Sequence, residues 1–182
     1  MEYIFPRGAP PAQPPPPPAN PPPEDASFDL KILQYHTNGI INKTEELLHF
    51  MEKNNILVAS MQETKQTEKS TLKKTPNYTF VRKDRGVNKG GGVAFLVHKD
   101  VNFTLEPTPV SLEQDPHIES ITISIPGEEN NLHIRNVYIP PQSSCGQGYI
   151  PPIDNIYNNL DETSLILGDF NAHHELCLSE GN

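Results

Sequence analysis

Residues 56–64, ILVASMQET, encode a short buried strand that runs into polar side chains. The first six residues of this stretch are apolar or small, which is typical of a strand covered on both faces. Residues 30–35 predict another short buried strand, and the segment between the two predicts a helix. The order strand, helix, strand favours an α/β layer in which the two strands pair in parallel.

The helix between these strands has recognisable start and stop signals. Residues 37–39, Thr-Asn-Gly, are a turn signal, and Asn42 followed by Glu45 resembles a capping box with Asn42 as the cap. The helix is expected to stop at residues 54–55, both asparagine. Apolar residues recur between these limits at helical spacing, namely Leu47, Leu48, Phe50 and Met51.

The rest of the chain is rich in strands. Ile121, Ile123 and Ile125 alternate with polar residues or proline, a pattern that predicts a half-buried antiparallel strand. Many strands and few helices predict an α/β (α+β) fold, in which two sheets pack as a sandwich flanked by helices. The predicted strands of this part are residues 78–81, 92–97, 118–125, 132–139 and 165–167, with a short helix at 153–160.

Length and proline content predict the domain organisation. The chain has 182 residues, which suits one domain, and 20 prolines. Eleven of these prolines fall in residues 1–28, which are expected to form a disordered or polyproline II arm that acts as a spacer. A groove domain of a partner could also bind this arm. The folded domain is expected over residues 29–182.

Composition also bounds the cellular setting. No stretch approaches the ~20 apolar residues of a membrane helix, and the first residues lack the basic flank and apolar core of a signal peptide. The two cysteines, Cys145 and Cys177, do not form a disulfide framework. We therefore expect an intracellular protein without a membrane partner.

Charge is distributed unevenly along the chain. The net charge is −9, but residues 64–99 carry nine basic residues against two acidic ones. A local basic field can attract a polyanion even when the whole chain is acidic. The alternative is that this stretch is simply a solvated face.

Three predicted strands end in small polar clusters, at residues 36–38, 62–63 and 169–171. In α/β sheets, ligands gather beyond the carboxyl ends of the strands. Glu63 and Asp169, with amide side chains alongside, offer the hard oxygen ligands that Mg²⁺ prefers. Each acid alone could merely cap a turn, but three such strand ends together favour a site.

Several motifs in this order resemble one known family. Residues 33–40 (LQYHTNGI), 62–64 (QET), 136–141 (NVYIPP) and 167–173 (LGDFNAH) closely resemble the endonuclease/exonuclease/phosphatase superfamily. More narrowly, they are similar to the apurinic-type endonuclease domain of jockey-like non-LTR retrotransposons, as is the stretch 81–94. The resemblance covers residues 30–174 and implies a DNase I-like fold.

The resemblance implies roles for individual residues. Glu63 matches the metal-binding glutamate, and Asn38 matches the position beside the metal. Asp169 matches the aspartate that orients or activates water, Asn171 the amide that positions phosphate and water, and Tyr138 the tyrosine that contacts the scissile phosphate. The implied reaction is phosphodiester hydrolysis with Mg²⁺ or Mn²⁺. It leaves a nick whose 3′-hydroxyl primes reverse transcription.

The implied partner is double-stranded DNA, and the implied location of an active protein is the nucleus. Basic residues of the stretch 64–99 are candidates for binding the DNA backbone by counterion release. These candidates are Lys73, Lys74, Arg82, Lys83, Arg85 and Lys89.

Two departures from the family predict weak activity. His36 stands where the family usually has an asparagine of the active-site hydrogen-bond network, and Tyr35 where it commonly has tryptophan. The family also continues for several dozen residues beyond the Gly-Asp-Phe-Asn motif, to a Ser-Asp-His motif that this sequence does not contain. The domain is therefore expected to be truncated at its C-terminus, with an exposed sheet edge and little or no nuclease activity by itself.

Two other hypotheses remain open at this point. The chain could be another phosphatase or phosphodiesterase of the same superfamily. It could also be a non-catalytic binding module, degenerate or domesticated, whose proline-rich arm recruits a partner.

Overall fold

Two four-stranded sheets pack face to face in the computed structural model, which describes residues 29–67, 69–70, 75–85 and 90–172. The predicted proline-rich arm at residues 1–28 lies outside the described residues. The two-sheet sandwich with few helices is confirmed.

The first sheet has the strand order β1-β2-β4-β3. Strands β1 (Ile32–His36) and β2 (Val58–Gln62) pair in parallel, as the strand–helix–strand order predicted. Strand β4 (Val93–His98) pairs antiparallel with both β2 and β3 (Tyr78–Lys83). The parallel pair places the carboxyl ends of β1 and β2 at the same edge of the sheet.

The second sheet follows the chain, in the order β5-β6-β7-β8. Strands β5 (Thr104–Glu106), β6 (Glu119–Ile125) and β7 (Leu132–Tyr138) form antiparallel pairs, and β8 (Ser164–Asp169) pairs in parallel with β7. The last parallel pair sets Tyr138 opposite Asp169 at its carboxyl end.

Helix α1 (Thr44–Lys53) packs Leu47 and Met51 on the outer face of the first sheet. The prediction that Asn42 caps this helix is wrong. Asn42 lies inside a 3₁₀ turn (Ile41–Lys43) that precedes α1, and no side chain caps the helix start. Instead, the Thr44 hydroxyl donates a hydrogen bond of 3.0 Å back to the carbonyl of Ile40. Two short helices, α2 (Val110–Glu113) and α3 (Ile153–Tyr157), complete the described part.

The space between the sheets is filled by apolar side chains of both. Val58, Phe95 and Val97 of the first sheet belong to one buried cluster with Ile123 and Ile134 of the second. Burying side chains of this size contributes about 1.5–3 kcal/mol each. This interior holds the two sheets, and therefore their strand ends, in one fixed arrangement.

Asn136 of β7 links the two sheets by hydrogen bonds inside this interior. Its amide group donates to the carbonyls of Met61 (3.0 Å) and Ala94 (2.9 Å), and its carbonyl oxygen accepts from the Gln62 amide (2.8 Å). Asn136 and Gln62 are fully buried. These bonds fix the end of β2 relative to β7, which bears directly on the site described below.

The prediction that β6 is half-buried is wrong, because Thr122 and Ser124 are buried as well as the isoleucines. Arg135 covers this outer face. Its guanidinium donates to the Thr122 hydroxyl (3.1 Å) and to the carbonyls of Ile156 (2.6 Å) and Asn158 (2.9 Å). The polar residues in the alternating pattern are therefore not exposed to solvent; they are small residues covered by the buried arginine and helix α3.

Across the described residues, no helix combines the length and the apolar character that crossing a membrane requires.

Candidate active site

The predicted site residues are brought together where strands of both sheets end. His36 ends β1, Glu63 directly follows β2, Tyr138 ends β7 and Asp169 ends β8. A hydrogen bond of 2.8 Å from the Gln34 side chain to the carbonyl of Gly168 joins β1 to β8 across the two sheets. The convergence follows from the two parallel pairs, since each aligns the carboxyl ends of its strands.

Glu63 lies at the centre of the cluster and is held by its backbone. Its φ is +52°, and its carbonyl accepts hydrogen bonds from the Gly39 amide (2.8 Å) and the Thr37 hydroxyl (2.9 Å). The φ takes the chain sharply away from the direction of β2, a conformation that costs energy for a residue with a side chain. Such a conformation persists only where the surroundings hold it, so the position of this carboxylate is strongly determined.

The Glu63 carboxylate contacts three side chains. Oε1 accepts a 2.6 Å hydrogen bond from the Tyr138 hydroxyl, and Oε2 lies 3.4 Å from both His36 Nε2 and Lys65 Nζ. Burial raises the pKa of Glu63, but hydrogen bonds from Tyr138, His36 and Lys65 outweigh it and hold the pKa below its ordinary value. Burial and the bond to Glu63 raise the pKa of Tyr138, which keeps the phenol protonated as a donor.

His36 bridges the two carboxylates of the site. Its other ring nitrogen, Nδ1, lies 3.1 Å from Asp169 Oδ2, and its side chain is 48% exposed. The imidazole therefore contacts both acids that the sequence singled out. Those acids come from different sheets.

Asp169 and Asn171 form a local turn after β8. Asp169 Oδ1 accepts from the Asn171 backbone amide (3.1 Å), and the Asn171 side-chain amide donates to the carbonyl of Ile139 (2.8 Å). Asn171 has a positive φ of +43°. The turn holds both polar side chains at the end of the β7–β8 pair.

Lys65 is a site residue that the sequence reasoning missed. Its ammonium donates to Asn38 Oδ1 while contacting Glu63 Oε2. Lys65 therefore joins the two residues that the resemblance implies for metal binding. Its place two residues after Glu63 gave no signal for this contact, because both residues have a positive φ and the chain is not extended there.

Glu119 is a second residue that the sequence reasoning missed, and it supports the site through the loop that contacts Lys65. Its buried carboxylate accepts hydrogen bonds from the Arg85 guanidinium and the Gly92 backbone amide. Burial raises the pKa of Glu119, and Arg85 only partly offsets the shift. The carbonyl of Gly91, beside Gly92, accepts from the Lys65 amide (2.8 Å), so this carboxylate holds the loop on which the Lys65 backbone rests.

The candidate DNA contacts divide into described and undescribed residues. Lys73, Lys74 and Lys89 lie outside the described residues. Arg82 donates to the carbonyl of Ser70 (3.1 Å) and lies 3.4 Å from Asp84, and Arg85 is bound to Glu119, whereas Lys83 is half-buried. The two arginines thus connect parts of the protein, and contact of any of these residues with DNA stays a prediction.

An open cleft of about 550 Å³ adjoins the cluster. The residues that line it include Glu63, Lys65, Arg85, His117 and Tyr138. The Arg85 guanidinium lies 5.5 Å from the centre of the Tyr138 ring. The cleft has the size and the flanking cations to admit a phosphate group beside the Glu63 carboxylate.

The oxygen atoms of Glu63 and Asn38 suit a metal cation that keeps most of its bound water. Within the described part of the chain, no group of three or more His, Cys, Asp or Glu side chains is arranged to enclose a metal ion. However, Glu63 and Asn38 place one carboxylate and one amide oxygen around a single positive group, the Lys65 ammonium. Few protein oxygens and retained water are what Mg²⁺ uses at sites that also bind phosphate.

Comparisons with known proteins agree with this geometry. The family model described as "Endonuclease/Exonuclease/phosphatase family" matches residues 37–176. No curated protein matches this chain significantly.

Solved structures share the fold at low identity. The endonuclease domain of TRAS1, a telomere-specific non-LTR retrotransposon, aligns with a TM-score of 0.55 and 16% identity over 80% of this chain and 61% of its own. Humanised D. rerio TDP2 aligns with a TM-score of 0.52 and 14% identity, over 80% of this chain and 63% of its own. An AP endonuclease from Archaeoglobus fulgidus aligns with a TM-score of 0.50 and 20% identity, over 78% of this chain and 57% of its own. The chain thus spans about three fifths of these structures. The predicted superfamily and its two-sheet fold are confirmed.

Proposed function

Since the chain belongs to the endonuclease/exonuclease/phosphatase family, we propose that it hydrolyses phosphodiester bonds of DNA with a divalent cation, Mg²⁺ or Mn²⁺. One observation carries the proposal: His36 contacts the carboxylates of both Glu63 and Asp169, which come from different sheets, and Glu63 and the Tyr138 hydroxyl bonded to it line an open cleft. A carboxylate that holds a cation, a second carboxylate that accepts a proton and a phenol that donates a hydrogen bond can together promote attack of water on a phosphodiester.

Each side chain has a role in this scheme. Glu63 and Asn38 would hold the cation, which would neutralise the phosphate oxygens and stabilise the leaving 3′ oxygen. Asp169 would accept the proton of the attacking water, and Asn171 would orient that water and the phosphate. Tyr138, protonated because its pKa is raised, would turn its hydroxyl from Glu63 and donate its one hydrogen bond to the phosphate. Positioning and charge stabilisation supply most of the rate in such a site.

The substrate class is proposed as double-stranded DNA in a retrotransposition context. The similarity to the TRAS1 endonuclease domain supports this choice, as does the similarity to an AP endonuclease. The product would be a nick with a 3′-hydroxyl, the end that a reverse transcriptase extends. Such a reaction would take place in the nucleus.

We propose further that the activity is low. His36 contacts both Glu63 and Asp169, and Lys65 contacts Glu63 and Asn38, so three residues of the proposed chemistry already have partners within the protein. The same contacts support the second candidate function, a DNA-binding module that does not cleave. The two candidates differ in one measurable property, the appearance of nicked product.

Nicking of a supercoiled plasmid in Mg²⁺ tests the proposal. We expect slow formation of open circles with 3′-hydroxyl ends, reduced about 100-fold or more by Glu63→Gln and by Asp169→Asn. Glu113→Gln, an exposed glutamate of α2, is the matched control and should leave the rate unchanged. DNA binding without any nicking would favour the binding module. Release of phosphate from a phosphoinositide but not from DNA would favour another reaction of the family.

A further inference from the structure

We propose that Lys65 is a built-in counter-ion that occupies the place of the divalent cation, so that metal binding must displace its ammonium. The inference rests on the proposed function, because it assumes that Glu63 and Asn38 hold the metal. It adds that the affinity of this chain for the metal is set by competition with one of its own side chains.

The contacts of Lys65 carry the argument. Its ammonium donates to Asn38 Oδ1 and lies 3.4 Å from Glu63 Oε2. These are oxygens of the two residues that would bind the metal. A metal ion bound to both residues would need the same oxygen atoms that the ammonium contacts. The metal ion and the ammonium would then lie side by side, where their positive charges repel each other.

The Lys65 backbone is fixed while its head group is accessible. The φ of Lys65 is +52°, and its amide donates to the carbonyl of Gly91 (2.8 Å). Its side chain is 42% exposed, and a lysine stem has four flexible carbons. The head group can therefore leave the oxygens without any change in the fold. The cleft of about 550 Å³, which Lys65 also lines, is where it would go.

Displacing the Lys65 ammonium requires little free energy in this geometry. Ion pairs that remain open to solvent are worth up to about 1 kcal/mol, a factor of up to about five in an equilibrium constant. The ammonium therefore weakens metal binding without preventing it. Once in the cleft, it would lie beside an entering phosphate, so metal and phosphate binding would favour each other.

A nearby lysine provides a matched control. Lys43 also carries a positive charge close to the site, but its ammonium donates to the backbone carbonyl of Thr37, which is not among the proposed metal ligands. Replacing either lysine with methionine removes one charge and keeps a side chain of similar length. Only the Lys65 variant removes the competitor.

The test is the affinity of the chain for Mn²⁺, measured from the electron paramagnetic resonance signal of free Mn²⁺. It needs no catalytic turnover. We expect Lys65→Met to bind Mn²⁺ about two- to fivefold more tightly than the unmodified chain. Lys43→Met should stay within twofold, and Glu63→Gln should weaken binding strongly. Thermal melting confirms that each variant is folded.

The outcomes separate the two proposals. If Lys65→Met binds Mn²⁺ equally or more weakly while Glu63→Gln still weakens binding, the competition is wrong and the metal site stands. If Lys43→Met tightens binding as much as Lys65→Met, the effect is general charge removal and the competition is again wrong. If Glu63→Gln has no effect, the proposed metal site and the inference both fail.

Discussion

At the residue scale, His36 connects the two acids on which the proposed chemistry depends. Its imidazole lies 3.4 Å from Glu63 and 3.1 Å from Asp169, across the junction of the two sheets. Asparagine, which the family resemblance implies at this position, is shorter and carries no ring. An asparagine at position 36 would therefore give the two carboxylates a different set of contacts.

Replacing His36 with asparagine is expected to raise the nicking rate. Removing two partly exposed contacts of up to about 1 kcal/mol each corresponds to a gain of up to about thirtyfold. His49→Asn, an exposed residue of α1, is the control and should have no effect. A lower rate in His36→Asn would show that the imidazole assists the reaction, contrary to the account.

Two carboxylates of the site should respond to pH in opposite directions. The pKa of Glu63 is lowered from its ordinary value of 4.5, so its contribution to folding is present above pH 4.5 and is lost as the pH falls. The pKa of Glu119 is raised from the same value, so its contribution is present below pH 4.5 and is lost as the pH rises through the raised value.

Urea unfolding at a series of pH values checks these signs. The unmodified chain should lose free energy of unfolding relative to Glu63→Gln as the pH falls below 4.5. It should lose free energy of unfolding relative to Glu119→Gln as the pH rises above 4.5. Differences that change in the same direction for both variants would contradict the assignment of opposite environments.

At the scale of elements, the loop before β4 supports Lys65 from one side and contacts Glu119 on the other. Gly91 has a φ of +67°, and a Cβ there would collide with the Glu119 carboxylate and the Arg85 guanidinium. Gly90 has a φ of +101°, but a Cβ there would meet nothing within 4 Å. Alanine at Gly90 would therefore introduce backbone strain alone, whereas alanine at Gly91 would introduce both strain and a collision.

Gly91→Ala is expected to destabilise the fold more than Gly90→Ala. A side chain at positive φ costs about 1–2 kcal/mol. In Gly91→Ala the ends of the Glu119 and Arg85 side chains must also move, which disturbs their partly buried ion pair and adds about 1–3 kcal/mol. The free energy of unfolding in urea measures both. Equal destabilisation by the two variants would contradict the role of the Glu119–Arg85 pair.

Most elements could be predicted from the sequence, because burial leaves a clear pattern in it. Continuous apolar runs predicted β2 and β4, and the parallel pairing of β1 with β2 followed from the helix between them. The short elements β5 and α2 were missed, since three or four residues give no periodicity. The Asn42 cap was wrong because the buried Ile40 is followed by a 3₁₀ turn, which no local signal distinguishes from a first helical turn.

The site was predicted less completely than the fold. Glu63, Tyr138 and Asp169 are close in space because strand ends meet, and strand ends can be located in a sequence. Lys65 and Glu119 were missed because their roles depend on which loop packs against which strand. The contact of Glu119 with Gly92 joins residues 27 positions apart, and no spacing rule indicates it.

At the scale of the whole molecule, the sandwich itself assembles the site. Asn136 and Gln62 join the sheets inside the interior, and Gln34 joins β1 to β8 at the rim. The two halves of the cluster therefore come from different sheets and depend on their packing. Net charge is a poor guide at this scale, since the chain carries −9 while Lys65 and Arg85 flank the cleft.

The central claim is that these strand ends form one divalent-cation site, and anomalous diffraction from a crystal soaked in Mn²⁺ tests it most directly. We expect one strong anomalous peak between the Glu63 carboxylate and the Asn38 amide oxygen, with the Lys65 ammonium moved away from both. A crystal at saturating Mn²⁺ that shows no peak there, with Lys65 still bound to Asn38 and Glu63, would contradict it.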